Sequence, residues 1–288
     1  MDNLFTVLRK GGAPNGSGSR IIWTKDQIAY VIDNYNQFHN THDLAIKFNV
    51  STDAIRRLLK KNNVKLLTTQ ELGKQKRPRN SNYFENIDTP QKAYWLGFLY
   101  ADGYNNEKDN CIRINLQQED ELHLQKFLDA LECQNFEIKH QTKDGKYNMS
   151  YIEVCDKKIS EDLARHGCFQ GKTNKIVFPS NLKEEFYSHF IRGYFDGDGS
   201  LYYSTRNNHK YFGFHLLGTL EFLTKVREIL NKNKLALERK SNSLYSFNLS
   251  GNKQIIEVMN YLYKEADETI WLNRKKDKFE VLLLQQRK

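Results

Sequence analysis

A short apolar segment that ends in aspartate and glycine occurs twice in the chain, as YWLGFLYADG over residues 94–103 and as FIRGYFDGDG over residues 190–199. Each copy has a glycine in its middle, Gly97 or Gly193, where a helix is expected. Glycine inside a helix costs about 1 kcal/mol relative to alanine, so another interaction must offset it. Close packing of two helices does so, because a residue without a side chain lets two backbones approach. The repeat therefore predicts two similar halves that meet along a pair of helices.

The order of the predicted elements also repeats. After the first segment, the hydrophobic periodicity predicts a strand, a helix, two strands joined near Lys143-Asp144-Gly145 and a closing helix, and the second segment is followed by the same order. The predicted elements are 111–117, 120–132, 136–141, 147–154 and 157–167 in the first half, and 211–218, 219–232, 235–240, 243–250 and 253–265 in the second. We therefore expect an α+β fold of two pseudo-symmetric αββαββα repeats, over residues 86–180 and 181–288.

Four sequence segments together resemble a known family. WLGFLYADG (95–103) and IRGYFDGDG (191–199) resemble the two copies of the motif that names the LAGLIDADG homing endonucleases, and GCFQGKTNKIVFP (167–179) and WLNRKKDKF (271–279) are similar to the segments that follow each repeat. The resemblance covers residues 86–288. It implies a saddle of antiparallel sheets and a monomeric enzyme that cuts both strands of a long asymmetric DNA target, with Mg²⁺ or Mn²⁺ as cofactor.

The aspartates that end the two motifs are the first candidate site. We expect Asp102 and Asp198 to lie side by side at two helix C-termini, with Gly103 and Gly199 as left-handed caps. Two carboxylates that face the negative ends of two helix dipoles are unfavourable when ionised unless a cation lies between them. These four residues are therefore the predicted metal site. The alternative is an ordinary Asp-Gly turn, and Asp196 is a weaker candidate because the first motif has a tyrosine at its position.

The resemblance also implies residues that assist catalysis around the metal. The positions that match the family's lysines are Lys172 and Lys275, and Gln118 matches a polar position in the first half. Gly218 stands where the second half would carry a similar polar residue. The two half-sites are therefore expected to be chemically unequal.

Strand alternation predicts which side chains would contact DNA. In CIRINLQ the apolar residues face one side and the polar residues the other, and the same holds in FEIKHQ and SLYSFNLS. Polar side chains of this type read base edges in a major groove, although solvated polar faces are common. The predicted contacts are Arg113, Asn115, Gln117, Lys139, Gln141, Ser246 and Asn248.

The N-terminal third resembles a helix-turn-helix domain over residues 21–66. Helices are predicted after Thr24, from Thr41 and after Ser51, and Asn49 takes the turn position that needs a left-handed backbone. Thr52, Arg56, Arg57 and Lys60 would then point outward from the third helix toward DNA. The alternative is a trihelical bundle used for packing alone.

The two segments that flank this predicted domain, residues 1–20 and 67–85, are expected to lack regular structure. Residues 1–20 are predicted to be a disordered tail, with a remnant of organelle targeting as the alternative. Residues 67–85 are predicted to be a basic linker. Lys76, Arg77 and Arg79 of that linker either follow phosphates or are simply solvated.

The net charge of the chain also indicates a nucleic acid as the partner. The chain has 44 Lys and Arg against 35 Asp and Glu, a formal charge of +9, which favours double-stranded DNA, with structured intron RNA as a second partner. Four cysteines without metal-ligand spacing suggest neither a zinc site nor disulfides, and therefore a cytoplasmic setting, with an organelle not excluded. No membrane segment is expected. An RNA-splicing maturase and an inactive DNA-binding regulator are the alternative functions on this fold.

Overall fold

The computed structural model describes residues 4–10, 20–143, 147–207 and 209–286. The chain divides into two compact units, Met1–Arg77 and Pro78–Lys288. No helix of the described residues has both the length and the apolar character needed to cross a membrane.

Three helices form the body of the first unit: α1 (Lys25–Phe38), α2 (Thr41–Lys47) and α3 (Thr52–Lys61). Each begins at a polar cap, since the side chains of Thr24, Asn40 and Ser51 accept hydrogen bonds from backbone N–H groups of the first turn. These helices match the predicted ones. Their apolar faces enclose a small core of Val31, Tyr35, Leu44, Ala45, Phe48, Ile55, Leu58 and Leu59.

The turn between α2 and α3 has the expected backbone. Asn49 has φ of 50°, in the left-handed region that asparagine tolerates better than most residues. The Val50 N–H then bonds the carbonyl of Ala45 at 3.0 Å, which closes the end of α2 and directs the chain into α3.

The predicted disorder of residues 1–20 is wrong for the part that the structure describes. Strand β1 (Leu8–Lys10) pairs antiparallel with β2 (Arg20–Ile22). Phe5 packs edge-on against Phe48, and the side-chain amide of Gln27 donates to the carbonyls of Leu4 and Thr6, both at 2.9 Å. Phe5 and Val7 belong to the apolar segment LFTVL (4–8), and both pack against the core of the three helices, which orders this part of the chain. Residues 1–3 and 11–19 of the predicted tail lie outside the described residues.

The predicted linker of residues 67–85 is also structured. Its first part is helix α4 (Thr69–Lys76), with Thr68 and Glu71 forming a capping box. Its last part belongs to the second unit, where Tyr83 and Phe84 are buried in the core. Two aromatic residues at the end of a basic stretch thus mark the start of the second unit.

The second unit contains two series of elements in the same order. The first is α5 (Pro90–Asp102), β3 (Gly103–Asn106), β4 (Cys111–Gln117), α6 (Glu121–Ala130), β5 (Lys139–Lys143), β6 (Tyr147–Cys155) and α7 (Lys157–Arg165). The second is α8 (Tyr187–Asp198), β7 (Gly199–Arg206), β8 (His209–Gly218), α9 (Leu220–Ile229), β9 (Leu237–Arg239), β10 (Tyr245–Ser250) and α10 (Asn252–Tyr263), followed by α11 (Asn273–Gln286).

Each series forms an antiparallel four-stranded sheet. The strand orders, β3-β4-β6-β5 and β7-β8-β10-β9, correspond element by element. The fold is therefore α+β with two similar halves, as predicted. Sequence reasoning missed β3 and β7, which begin directly at the motif glycines, and β5 begins three residues later than expected. Asp144 and Gly145 of the predicted hairpin turn lie outside the described residues.

Helices α5 and α8 pack against each other at the centre of the core. A Cβ added to Gly97 would lie 2.0 Å from the carbonyl oxygen of Phe190, and one added to Gly193 would lie 1.9 Å from that of Tyr94. Only glycine permits this separation of the two backbones.

A disulfide joins Cys111 of β4 to Cys155 of β6, so the expectation of no disulfides is wrong. These residues are paired directly across the two strands. They are 44 positions apart in the sequence, and only the strand register brings them together. Cys133 and Cys168 are free thiols.

Candidate active site at the ends of the paired helices

The two motif aspartates occupy the last positions of α5 and α8. Because these helices are in contact along their length, their C-termini lie together. A Cβ added at Gly197, beside Asp198, would lie 3.3 Å from the Asp102 Oδ2 atom. The pairing of the glycines thus brings the two acids to one place.

Both aspartates resist ionisation. Burial, and then the negative charge of Asp198, raises the pKa of Asp102 to about 6, against the opposing effects of Lys275 and Lys172. The pKa of Asp198 is also raised, chiefly by desolvation, although this residue is more exposed than Asp102. Such a pair favours a bound cation or a shared proton.

Gly103 and Gly199 do not adopt the predicted left-handed conformation. Their φ angles are −79° and −89°, and the chain runs directly from each helix into a strand. Glycine is needed there for space, since an added Cβ would lie 2.7 Å from the carbonyl oxygen of Leu99 or 2.5 Å from that of Phe195. The predicted caps are therefore sites of close backbone contact.

The two predicted lysines are buried against the helix ends. Lys172, 7% exposed, donates from Nζ to the Gly103 carbonyl. Lys275, 2% exposed, donates from Nζ to the carbonyls of Phe195 at 2.5 Å and of Asp196 and Gly199 at 2.7 Å. Positive charge at a helix C-terminus is stabilising. Burial lowers the pKa of Lys275 to about 8.

The residue at the sixth position of each nine-residue motif makes a hydrogen bond to the segment that carries the lysine and so holds that segment in place. In the first half, the Tyr100 hydroxyl donates to the carbonyl of His166, six residues before Lys172. In the second half, Oδ2 of Asp196 accepts from the Leu272 N–H at 2.8 Å, three residues before Lys275. The two halves thus hold equivalent segments in place by hydrogen bonds of opposite direction, since the motif side chain donates in the first half and accepts in the second. The mismatch of Tyr and Asp between the motifs hid this shared position from sequence reasoning.

Asp196 also joins the two motif helices. Its Oδ2 atom accepts from the Tyr94 hydroxyl of α5 at 2.8 Å, and that hydroxyl lies 2.9 Å from Nε2 of His123. Burial raises the pKa of Asp196. Its side chain is only 1% exposed, so it supports the site from within the core.

The surroundings of the two aspartates differ, as predicted. Tyr194 of α8 donates from its hydroxyl to the Leu217 carbonyl at 2.9 Å, and a Cβ on Gly218 would lie 3.3 Å from that hydroxyl. The nearby Tyr194 hydroxyl also interacts favourably with the ionised form of Asp198, which opposes the rise in the pKa of that acid. In the first half the equivalent helix residue is Phe98, and Gln118 is exposed just after β4.

The open face of the first sheet carries most of the predicted DNA contacts. Arg113 donates to Oε1 of Gln141 at 3.2 Å, and Gln141 donates to Oδ1 of Asn115 at 3.3 Å. The Arg113 guanidinium lies 4.1 Å from the ring centre of Tyr151, a residue that sequence reasoning missed. Exposed polar residues of this face also include Gln117 and Lys139.

The second sheet departs from the prediction at one residue. Ser246 has no exposed surface, and its hydroxyl accepts a hydrogen bond from the Asn248 side-chain amide at 3.1 Å. Ser246 therefore positions Asn248 and is not itself accessible to a ligand in this structure. Asn248 is half-buried. Tyr202 of β7 is 54% exposed and lies on the same sheet. It was missed because β7 was not recognised as a strand.

The basic residues of the predicted linker separate into two groups. Arg79 is buried in an ion pair with Asp156, with Nε 3.1 Å from Oδ2, and donates to the Cys155 carbonyl at 2.7 Å, so the predicted role in DNA contact is wrong. Lys76 and Arg77 are exposed at the end of α4. On α3, the side chains of Arg56, Arg57 and Lys60 are exposed, and Thr52 is half-buried.

The donors at the helix ends fit a hard divalent cation. Within the part of the chain that the structure describes, no three His, Cys, Asp or Glu side chains cluster as a metal site. The available donors are the carboxylates of Asp102 and Asp198 and nearby backbone carbonyls, all oxygen. A small number of carboxylates with water completing the shell is the way proteins usually hold Mg²⁺.

No protein-family model and no curated protein matches the chain. Among solved structures, it is similar to the LAGLIDADG meganuclease I-AabMI bound to uncleaved DNA, with 14% identity, 69% of this chain and 92% of that one covered, and a TM-score of 0.44. It is also similar to the homing endonuclease I-LtrWI bound to target DNA, with 13% identity, coverage of 73% and 92%, and a TM-score of 0.46.

Proposed function

We propose that the chain is a monomeric, divalent-metal-dependent DNA endonuclease that makes a double-strand break in a long asymmetric target. The observation that carries the proposal is the pair Asp102 and Asp198, held together by two close-packed helices at a place where burial raises the pKa of both carboxyl groups. A protein gains nothing in stability from such a pair. A bound cation supplies the compensation and also the reactivity.

The metal site would be formed by Asp102 and Asp198, with the carbonyls of Gly103 and Gly199 at its edge. A Mg²⁺ or Mn²⁺ ion bound there would act as a Lewis acid that activates water and neutralises charge on the phosphate. Asp102 and Asp198 would hold this ion from the two halves of the protein. Since one acid comes from each repeat, the site can serve both strands of a duplex.

Lys172 and Lys275 supply the nearest fixed positive charges. Each is held at the end of one motif helix by backbone carbonyls, so its ammonium group needs no rearrangement to act on charge that develops at the phosphate. Lys275 keeps this charge below a pH of about 8. Because Gly218 and Gln118 differ, the two strands are expected to be cut at different rates.

The open faces of the two sheets would read the target. Arg113, Asn115 and Gln141 present donors and acceptors in one hydrogen-bonded group, which suits base edges in a major groove. The first unit would bind DNA through Thr52, Arg56, Arg57 and Lys60 of α3 and extend the site on one side.

A selection from a random duplex library tests this function. The protein is incubated with the library in Mg²⁺ buffer, and cleaved ends are sequenced; we expect one long asymmetric site cut in both strands. Binding of a unique duplex without cleavage would favour the inactive regulator. Binding of folded intron RNA in preference to any duplex would favour the maturase.

A further inference from the structure

A groove in the first unit lies between the β1-β2 hairpin and helix α3. It has a volume of about 640 Å³. Its floor is apolar and its rim is basic. The lining residues are Ile21, Ile22, Trp23, Ile28, Ala54 and Leu58, with Lys10, Arg57, Lys61 and Asn62.

The charges of this groove are of one sign. Lys10, Arg57 and Lys61 are all exposed, and among the residues that the structure describes no acidic one lines the groove. None of the three cations has an ion-pair partner among the residues that the structure describes. Other cations of the same unit do have one, as Lys65 does with Glu71 at 2.8 Å. Three unpaired positive charges around one groove attract an anion that spans more than one of them.

Of the two groove cations on α3, Lys61 is not among the residues already expected to contact DNA, whereas Arg57 is one of them and lies where the two surfaces meet. Arg57 and Lys61 are four positions apart and therefore lie on one strip of the helix, beside the hairpin. Thr52, Arg56 and Lys60 follow the same four-residue spacing on a neighbouring strip. One strip thus faces the groove, and the other is free to face a second part of the same ligand.

We propose that this groove binds the sugar–phosphate backbone of DNA beside the major groove that α3 enters. Lys10, Arg57 and Lys61 would neutralise successive phosphates, and the apolar floor would contact deoxyribose. The hairpin is thereby a second DNA-binding element of the first unit. The inference rests on the proposed function, because it requires that the protein bind duplex DNA.

The test measures the salt dependence of DNA binding by the full chain. A fluorescent 30-base-pair duplex of random sequence is titrated with wild type, Lys10→Gln, Lys61→Gln and the double variant at several salt concentrations. Each lost phosphate contact reduces the slope of log K against log salt by about 0.9, so we expect about 0.9 for each single variant and about 1.8 for the double variant. Lys25→Gln is the matched control, since Lys25 is exposed in the same unit but does not line the groove.

Two further measurements separate the possible outcomes. A polyglutamate peptide replaces the duplex in a parallel titration, and cleavage by Asp102→Asn is assayed on a selected target. Unchanged slopes in the groove variants, with cleavage still lost in Asp102→Asn, would overturn this inference and leave the proposed function intact. Loss of peptide binding without a change in DNA binding would assign the groove to an acidic protein. A wild type that binds no duplex would contradict both proposals.

Discussion

Gly97 contacts Phe190 backbone to backbone, at a separation where a Cβ on Gly97 would lie 2.0 Å from the Phe190 carbonyl oxygen. In the reciprocal contact, a Cβ on Gly193 would lie 1.9 Å from the Tyr94 carbonyl oxygen. The contacts set the distance between the helices, and the helices end in the two site aspartates.

Alanine at Gly97 or Gly193 is expected to destabilise the second unit severely. Because a backbone carbonyl cannot move aside as a flexible side chain can, the cost should exceed about 3 kcal/mol, at the upper end of overpacking effects. Thermal or urea unfolding measures it. Gly73→Ala is the control: nothing lies within 4 Å of its Cβ, so that change should be neutral or stabilise α4 by up to about 1 kcal/mol. If alanine at Gly73 destabilised the protein as much as alanine at Gly97 or Gly193, this explanation would be contradicted.

Truncation should locate the true start of the second unit. A fragment from Pro78 is expected to fold and to keep the cut position, whereas a fragment from residue 86 should lose stability, because it lacks Arg79 and the buried Tyr83 and Phe84. Circular dichroism and cleavage of the same target measure both. The fragment from Pro78 should bind DNA more weakly than the full chain, with a smaller salt dependence. Equal stability of the two fragments would show that residues 78–85 do not belong to this unit.

Asp102 should make the metal-free protein less stable as pH rises. Its folded-state pKa of about 6 lies above the ordinary value of 3.8, so the folded state loses stability as pH increases from about 4 to about 6. Asp102→Asn removes this loss and is expected to be more stable than wild type at pH 7.5, by up to about 3 kcal/mol.

Thermal unfolding with and without Mg²⁺ checks this expectation. The metal should raise the melting temperature of wild type and have little effect on Asp102→Asn. Asp88→Asn serves as the control, because a hydrogen bond from Lys92 lowers the pKa of that exposed acid, and its removal should give no gain at pH 7.5. If Asp102→Asn were less stable than wild type in the absence of metal, the ionised carboxylates of Asp102 and Asp198 would not destabilise the folded protein, contrary to this explanation.

Much of the fold followed from local patterns. The motif helices, the α3 face and the alternation of β4 were predictable because periodicity and caps act within a few residues. Contacts between residues that are far apart in the sequence were not predictable in this way. The Cys111–Cys155 pair depends on strand register, and the Arg79–Asp156 ion pair joins residues 77 positions apart. The site aspartates were found because the motif repeats, whereas the support from Asp196 was obscured because its counterpart is a tyrosine.

Lys172→Met should slow cleavage more than it weakens binding. The lysine is held at the Gly103 carbonyl and its charge acts on the phosphate as charge develops, so we expect a rate at least about tenfold lower, with affinity within about threefold. Single-turnover cleavage and fluorescence anisotropy on one duplex separate the two. Lys175→Met, which removes an exposed lysine three residues away, is the control. An equal loss of rate and affinity would make Lys172 a phosphate anchor.

The most direct test of the paired carboxylates compares cleavage and binding in Asp102→Asn and Asp198→Asn. Each variant keeps the helix contact and the shape of the side chain but removes one negative charge from the metal site. On a selected duplex in Mg²⁺ buffer, we expect double-strand cleavage to fall by at least about a hundredfold, about 3 kcal/mol, while affinity stays within a few-fold of wild type. Wild-type cleavage by either variant would contradict the assignment of these two aspartates as the metal-binding centre.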